Sequence, residues 1–347
     1  MKRSFFVLGV AVAALASCTN EEVVDMPQSR AIQFGTFVNH STRSNVTETT
    51  DKNLTKFFVF GNYDEGTWTP VYTNVQVNGG QVGGTGDQEV WTPAQTAYWI
   101  DGEKYRFGAY SDGGNQNSAA SFDANEQKME FDNYTVDNTK DLIVAIPADV
   151  IAKASDNPRV DLSFYHMLSQ VKFTFENTDS HDYIMEISDI KVNAVKTATG
   201  TATYKAEKPS IVWDTQSALQ EEYNFGTLED IAADFTENTH TTTCFVIPQN
   251  NQNLEVTFTA TFSDKLGNEI AKNEFVGKLT YSGDTEGTEE NEWTPGFKYN
   301  YTVEINGSTV NPDLDKQVIE FKVSAVEGWT DATDTAVTPE EQSAAGE

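Results

Sequence analysis

Two cysteines, four histidines and one crowded acidic loop are the residues of this 347-residue chain whose chemistry needs placing first. Cys244 lies in the apolar run Cys244-Phe245-Val246-Ile247 and reads as a small buried hydrophobe, not as a nucleophile. Cys18 follows Leu15-Ala16-Ser17 and is discussed below. His40, His166, His181 and His240 are dispersed, and His166 falls inside an alternating apolar run, which suits a core histidine with a partner rather than a base or ligand. Asp284, Glu286, Glu289, Glu290 and Glu292 offer oxygens that calcium favours, but their spacing fits no calcium loop. The chain contains no Gly-x-Ser-x-Gly, His-Glu-x-x-His, phosphate loop or dinucleotide fingerprint. No enzyme activity, cofactor or metal is expected from these residues.

The N-terminus carries a different chemistry. Lys2 and Arg3 precede an apolar run of 11 residues, Phe5 to Leu15, and then Leu15-Ala16-Ser17-Cys18. That run is too short for a membrane-spanning helix, which needs ~20 apolar residues, and fits a signal peptide. Small residues ahead of a cysteine at this distance resemble the lipobox of bacterial lipoproteins, which implies that Cys18 is acylated and becomes the first residue of the mature chain. Several acyl chains anchor a protein stably where a single chain is marginal. Thr19-Asn20-Glu21-Glu22 resembles the surface-export signal of Bacteroides lipoproteins, so the outer face of the outer membrane is expected. With Cys18 acylated, Cys244 has no partner left for an intramolecular disulfide.

Beyond this leader the sequence reads as strands. The formal net charge of -30 argues against nucleic acid and anionic membrane surfaces as partners. At 38% hydrophobic and 12% aromatic residues the chain has ample core formers, which excludes a disordered protein. Lys56–Gly61, Tyr105–Tyr110 and Asp141–Pro147 are continuous apolar runs suited to buried strands. Val71–Val77, Leu254–Phe262, Lys298–Ile305 and Val318–Val326 alternate, as half-buried strands do. Met185–Val195 and Gly200–Ala206 read as a strand pair. Gly, Asn and Asp clusters separate these runs, including five glycines between Asn78 and Asp87. Short strands with such spacing predict an all-β sandwich or barrel. One or two short helices are predicted, at Leu228–Phe235 from its 3-4 apolar spacing and at Ala148–Ala154.

The organising stretch is Val160–Glu176. Val160, Leu162, Phe164, His166 and Leu168 share one parity, and Val171, Phe173 and Phe175 share the other. A parity flip turns the apolar set outward unless the chain bends or adds a residue, so a bulge or turn is expected near Met167–Gln170. A weak echo links the two sides of this joint: Trp99 with Lys104-Tyr105-x-Phe107, and Trp293 with Lys298-Tyr299-x-Tyr301. Two units of one type would produce it, as would chance in a chain rich in Trp and Tyr.

Several of these motifs, in this order, resemble the fimbrillin family, the type V pilin-like lipoproteins of Bacteroides-type bacteria. They are the lipobox, Thr42-Arg43, Phe57-Phe58-Val59-Phe60-Gly61, the Phe164-x-His166-x-Leu168-Ser169 joint, Cys244–Gln249, Trp293–Ile305 and the run ending at Trp329. The resemblance implies two transthyretin-like β-sandwich domains in tandem. The expected division is a signal peptide over 1–18, a tether over 19–30, an N-terminal sandwich over 31–158, a C-terminal sandwich over 159–330 and a disordered acidic tail over 331–347. It also implies a subunit of cell-surface fimbriae, with other fimbrial subunits as partners. In that family a surface protease cuts after a basic residue beyond the first strand. The strand leaves, and a segment of another subunit fills the groove by β-augmentation. Arg43 matches the processing position, Arg30 being the alternative, and the displaced strand carries Ile32 and Phe34. The chain departs from stalk subunits in one respect: Asp331–Glu347 lacks the alternating apolar residues of a donor. A minor, anchor or tip subunit, or a non-polymerising adhesin with a host or bacterial surface ligand, is therefore expected. The rival reading is a surface glycan-binding lipoprotein of a polysaccharide-uptake system, which would need an exposed aromatic platform. Asp334-Thr335-Ala336 also resembles a Bacteroides O-glycosylation site.

Overall fold

The computed structural model describes residues 30–38, 54–80, 90–153, 158–216, 218–233, 241 and 243–328. Cys18, Arg43, His40, His240, Trp329 and the tail from Asp331 lie outside the described residues. Within them the chain is almost wholly β, with 22 strands numbered here in chain order, no α-helix and a single-turn 3-10 segment at Gly307–Thr309.

The first body is a sheet that closes on itself. β1 (Gln33–Val38), β2 (Lys56–Asp64), β3 (Trp68–Gly80), β4 (Val90–Pro93), β5 (Lys104–Asp112), β8 (Leu142–Ala145) and β10 (Arg159–His166) run in the order β2-β3-β4-β1-β10-β8-β5, and β5 pairs back onto β2. Closure leaves this ring no free edge. β9 (Val150–Ile151) pairs with the start of β5, at Lys104 and Tyr105. The interior is filled by one face of each strand, among them Phe34, Phe57, Val59, Tyr72, Phe107, Ile143, Leu162 and Phe164.

The second body packs two layers. One holds β17 (Cys244–Val246), β11 (Ser169–Asn177), β20 (Phe297–Ile305) and β22 (Lys322–Gly328); the other holds β15 (Gln220–Asn224), β12 (Ile184–Val195), β18 (Glu255–Ser263), β19 (Glu269–Lys278) and β21 (Gln317–Glu320). Their inner faces meet through Phe173, Phe175, Phe258 and Phe275. β16 (Leu228–Ile231) also pairs with β12.

A third, four-stranded sheet joins the bodies. β6 (Ala120–Asp123) and β7 (Lys128–Thr135) come from the first part of the chain, β13 (Thr197–Thr203) and β14 (Ser210–Asp214) from the second, and β7 pairs with β13. It lies against the outer face of the barrel at β5: a Cβ on Gly108 would sit 2.6 Å from Met129 Sδ and from Phe122. On the other side the Trp213 indole N–H donates to the Met167 carbonyl at 2.8 Å. One continuous core therefore runs from Phe58 and Tyr110 on the barrel exterior, through Phe131 and Trp213, into the sandwich.

The joint behaves as its alternation requires. In β10 Val160, Leu162, Phe164 and His166 are buried, and in β11 Val171, Phe173 and Phe175 are buried. Met167 and Leu168 break the strand between them and carry the parity flip. Their backbone is held across the joint, with Met167 N–H on the Leu142 carbonyl and Gly296 N–H on the Leu168 carbonyl, both at 2.9 Å. Arg159–His166 thus hydrogen-bonds within the barrel, so an expected boundary between Pro158 and Arg159 leaves β10 attached to the body before it.

Four local expectations are corrected. Leu228 to Ile231 is strand, not helix: Leu228 pairs with Ile187, Ile231 pairs with Met185, and Asp230 at φ 57° cannot continue a right-handed helix. The second expected helix holds Val150 and Ile151 in strand pairing with Tyr105 and Lys104, which suits their β-branched side chains. β12 and β13 do not pair with each other, because only Lys196 separates them and a hairpin needs a turn; each joins a different sheet. The run expected as a single strand over Val318–Val326 is two, β21 and β22, in opposite layers, with Phe321 crossing between Phe173, Phe175 and Phe258.

Candidate functional site

β1 occupies a slot between two strands that are remote from it in sequence. Along one side it pairs in parallel with β10 through six residues, Gln33 opposite Arg159 to Val38 opposite Phe164. Along the other it meets β4 at Phe34–Trp91. The following segment continues that side: Ile32 N–H donates to the Ala97 carbonyl at 2.9 Å and Trp99 N–H donates to the Arg30 carbonyl at 3.0 Å.

The alternation of Ile32, Phe34 and their neighbours fits this place. Both side chains are buried, while Gln33 between them is exposed. Phe34 packs at 5.9 Å from Phe57, 5.9 Å from Tyr72 and 6.0 Å from Phe107, ring centroid to centroid. Edge-to-face geometry of this kind adds to the area term. Burying one such side chain stabilises by ~1.5–3 kcal/mol. The surroundings are dry enough that burial pushes the Tyr72 phenol up to about 12, partly offset by the backbone of Ala97. The two expected residues therefore come together as plugs of one apolar groove. Arg43 and Cys18 lie outside the described residues. Arg30 is described, and its carbonyl is engaged by Trp99, so the Arg30–Ala31 bond sits within the ladder and not in an open loop.

On the outer face of β10, Arg159 and Asp161 form an ion pair, Nε to Oδ1 at 2.7 Å. Gly35 lies beneath it, opposite Asp161 in the register. A Cβ there would sit 2.7 Å from both Arg159 Nε and Asp161 Oδ1. Sequence reasoning did not single out this glycine, because the pair forms only when β1 and β10, more than a hundred residues apart, lie side by side.

His166 sits with its Nδ1 2.8 Å from Asp141 Oδ2, both side chains buried at the joint. It is a paired core histidine. The Trp–Tyr echo is also structural. In each copy the residue after the tryptophan donates its N–H to the tyrosine hydroxyl: Ile100 to Tyr105 at 2.8 Å, and Thr294 to Tyr299 at 2.9 Å. The copies differ beyond this. Trp293 Nε1 donates to Tyr301 at 3.0 Å, whereas Phe107 offers no hydroxyl and Trp99 packs on it edge to face. Cys244 is buried beside Asn138, and burial pushes its thiol up to about 11.

A closed β-barrel plugged by its own first strand and clamped to a β-sandwich defines an all-β structural class. Residues 42–329 match the sequence profile of the family described as fimbrillin-like, and the chain belongs to that family. Similar solved structures include a fimbrial protein from Bacteroides vulgatus, at 15% identity over 86% of this chain and 99% of that one, with a TM-score of 0.53. A candidate cell adhesion protein from Bacteroides uniformis aligns at 17% identity over 88% and 100% of the two chains, with a TM-score of 0.47. The fimbrial anchor protein Mfa2 from Porphyromonas gingivalis aligns at 14% identity over 86% and 98%, with a TM-score of 0.32. Among curated proteins none matches the chain.

Proposed function

We propose that this chain is a structural and adhesive subunit of a cell-surface fimbrium, held to the outer membrane by lipid on Cys18 and assembled when cleavage at Arg43 frees β1. The observation that carries the reading is the geometry of β1. It is a separable strand of six residues, joined to β2 only through residues 39–53, and it fills an apolar groove with Ile32 and Phe34. The family match begins at residue 42, after β1, which supports treating that strand as separable. The engagement of Arg30 in the ladder disfavours Arg30 as the cut, because proteases need exposed, unpaired backbone. Once β1 leaves, β10 and β4 present open edges on either side of an apolar groove, which is an association site. The partners are then other fimbrial subunits that supply an extended segment.

The glycan-binding rival needs an exposed aromatic platform. Among the described residues Trp91, Trp99, Trp213 and Trp293 are buried, and the Trp68 ring has Lys104 Nζ over it at 5.1 Å and Arg106 Cζ at 4.7 Å. The fimbrial reading is therefore preferred. An arginine-specific protease added to the purified chain tests it. A product beginning at Ser44 that forms SDS-resistant complexes with other subunits is expected. Arg43→Ala protein that assembles normally on cells would sink the cleavage mechanism.

A further inference from the structure

Resting on the strand-exchange reading above, we infer that the slot selects its incoming segment by the pattern Ile-x-Phe-Gly, the Arg159–Asp161 pair acting as a gate that disfavours a side chain at the fourth position. Two inward positions are set by the plug: Ile32 and Phe34 are both buried in the barrel interior, and Phe34 is surrounded by three aromatic rings. The outward position between them, Gln33, is exposed and unselective. The position after the phenylalanine is outward too, yet Gly35 is buried, because the ion pair lies across it. Its φ is unremarkable for a strand, so backbone conformation is not the reason for glycine; the reason is the 2.7 Å approach that any Cβ would make to both charged groups.

The inference extends to this chain's own C-terminal part. Ile319-Glu320-Phe321-Lys322 repeats the Ile-x-Phe of Ile32-Gln33-Phe34-Gly35 but places lysine where the gate needs glycine. In its own place the segment is used the same way: Phe321 reaches the aromatic core of the sandwich, and Gly277 makes room for it, with a Cβ there falling 2.5 Å from the ring. A second copy of this chain offering that segment would drive the Lys322 side chain through the Arg159–Asp161 pair. The gate thus disfavours Ile319–Lys322 of a second copy as the occupant, and the fitting occupant is an extended segment of another fimbrial subunit that carries Ile-x-Phe-Gly.

The sign of an alanine substitution makes the gate testable. In an ordinary strand, glycine is worse than alanine by ~0.5–1 kcal/mol, so alanine should bind about 2- to 5-fold better. Under the gate alanine must displace an exposed ion pair worth up to about 1 kcal/mol, which cancels or reverses that preference. The experiment uses the full chain with a protease site engineered into residues 39–53. The nicked protein holds β1 non-covalently, and labelled peptides of sequence Ala31–Val38 compete for the slot. The unmodified peptide should exchange in, and its Gly35→Ala version should do no better. In Arg159→Ala and Asp161→Ala protein the alanine peptide should overtake the glycine one. A peptide of sequence Gln317–Ala325 should exchange more weakly than its Lys322→Gly version. Alanine beating glycine in the unmutated slot, or the lysine peptide entering as well as its glycine version, overturns the gate while leaving strand exchange standing. Failure of the unmodified peptide to enter a nicked chain that stays folded overturns the strand-exchange reading itself. Thermal unfolding of full-chain Gly35→Lys, with and without Arg159→Ala, reads the gate without any peptide: rescue by Arg159→Ala is expected, and its absence contradicts the gate.

Discussion

Phe34 concentrates the argument at the level of single residues. Its ring is buried among Phe57, Tyr72 and Phe107, so Phe34→Ala should cost ~3–5 kcal/mol in a denaturant melt. Gln33→Ala, one residue away and exposed, should stay within ~0.5 kcal/mol. Equal effects would show that the slot is not part of the core. Cys244 gives a second residue-level test. Its thiol is buried and pushed up to about 11, so a maleimide at pH 8 should leave the native chain unlabelled and label it fully once unfolded. The sign of the linkage follows. A thiol raised in the folded state contributes stability that is complete below its unfolded value near 9.0 and is lost as pH rises through about 11, so the chain should weaken in that alkaline window. Ile32, Phe34, His166 and Cys244 were legible as inward residues because alternation and apolar company mark them in one dimension. Gly35 was not, since a glycine in a polar-apolar run looks like any turn residue until the opposing strand supplies Arg159 and Asp161.

Among the elements, the joint strand was the most legible: its parity flip requires the break at Met167-Leu168 that the chain makes. We place the division between the two bodies there, and not before Arg159. The connecting sheet was hardest to read. In β7, Asn133 takes φ 46° and shifts the pairing with β13, so Met129, Phe131 and Tyr134 do not keep a period of two. The parallel union of β1 with β10 is also invisible locally, because nothing in either strand names its partner. The Trp–Tyr echo was visible, and its meaning became clear from the shared hydrogen bond. Tyr105→Phe should therefore cost ~1–3 kcal/mol by leaving the Ile100 N–H without its acceptor, and Tyr299→Phe at least as much, because it removes both the acceptor of the Thr294 N–H and the donor to the Glu292 carbonyl. Thermal unfolding of the two single variants checks this, and a loss confined to one would break the equivalence.

For the molecule as a whole, the connecting sheet has a mechanical consequence. Because β7 pairs with β13 and Trp213 bonds to Met167, the outer face of the barrel is fixed to the sandwich by contacts that do not involve β1, and the proposed loss of that strand would leave them in place. For the proposed lipid anchor the expectation is chemical: Cys18→Ala protein should incorporate no palmitate analogue in growing cells, and incorporation equal to the unmutated chain would refute the anchor. The central claim is that β1 can leave a barrel that otherwise remains folded. Hydrogen exchange read by mass spectrometry tests it most directly, comparing the intact chain with one cut within residues 39–53 and freed of the released segment by dialysis. Loss of protection limited to Val90–Trp99 and Arg159–Phe164, with Ser169–Asn177 and Lys104–Asp112 unchanged, is expected. Protection lost throughout the barrel, or unchanged at Arg159–Phe164 after the segment has gone, would contradict it.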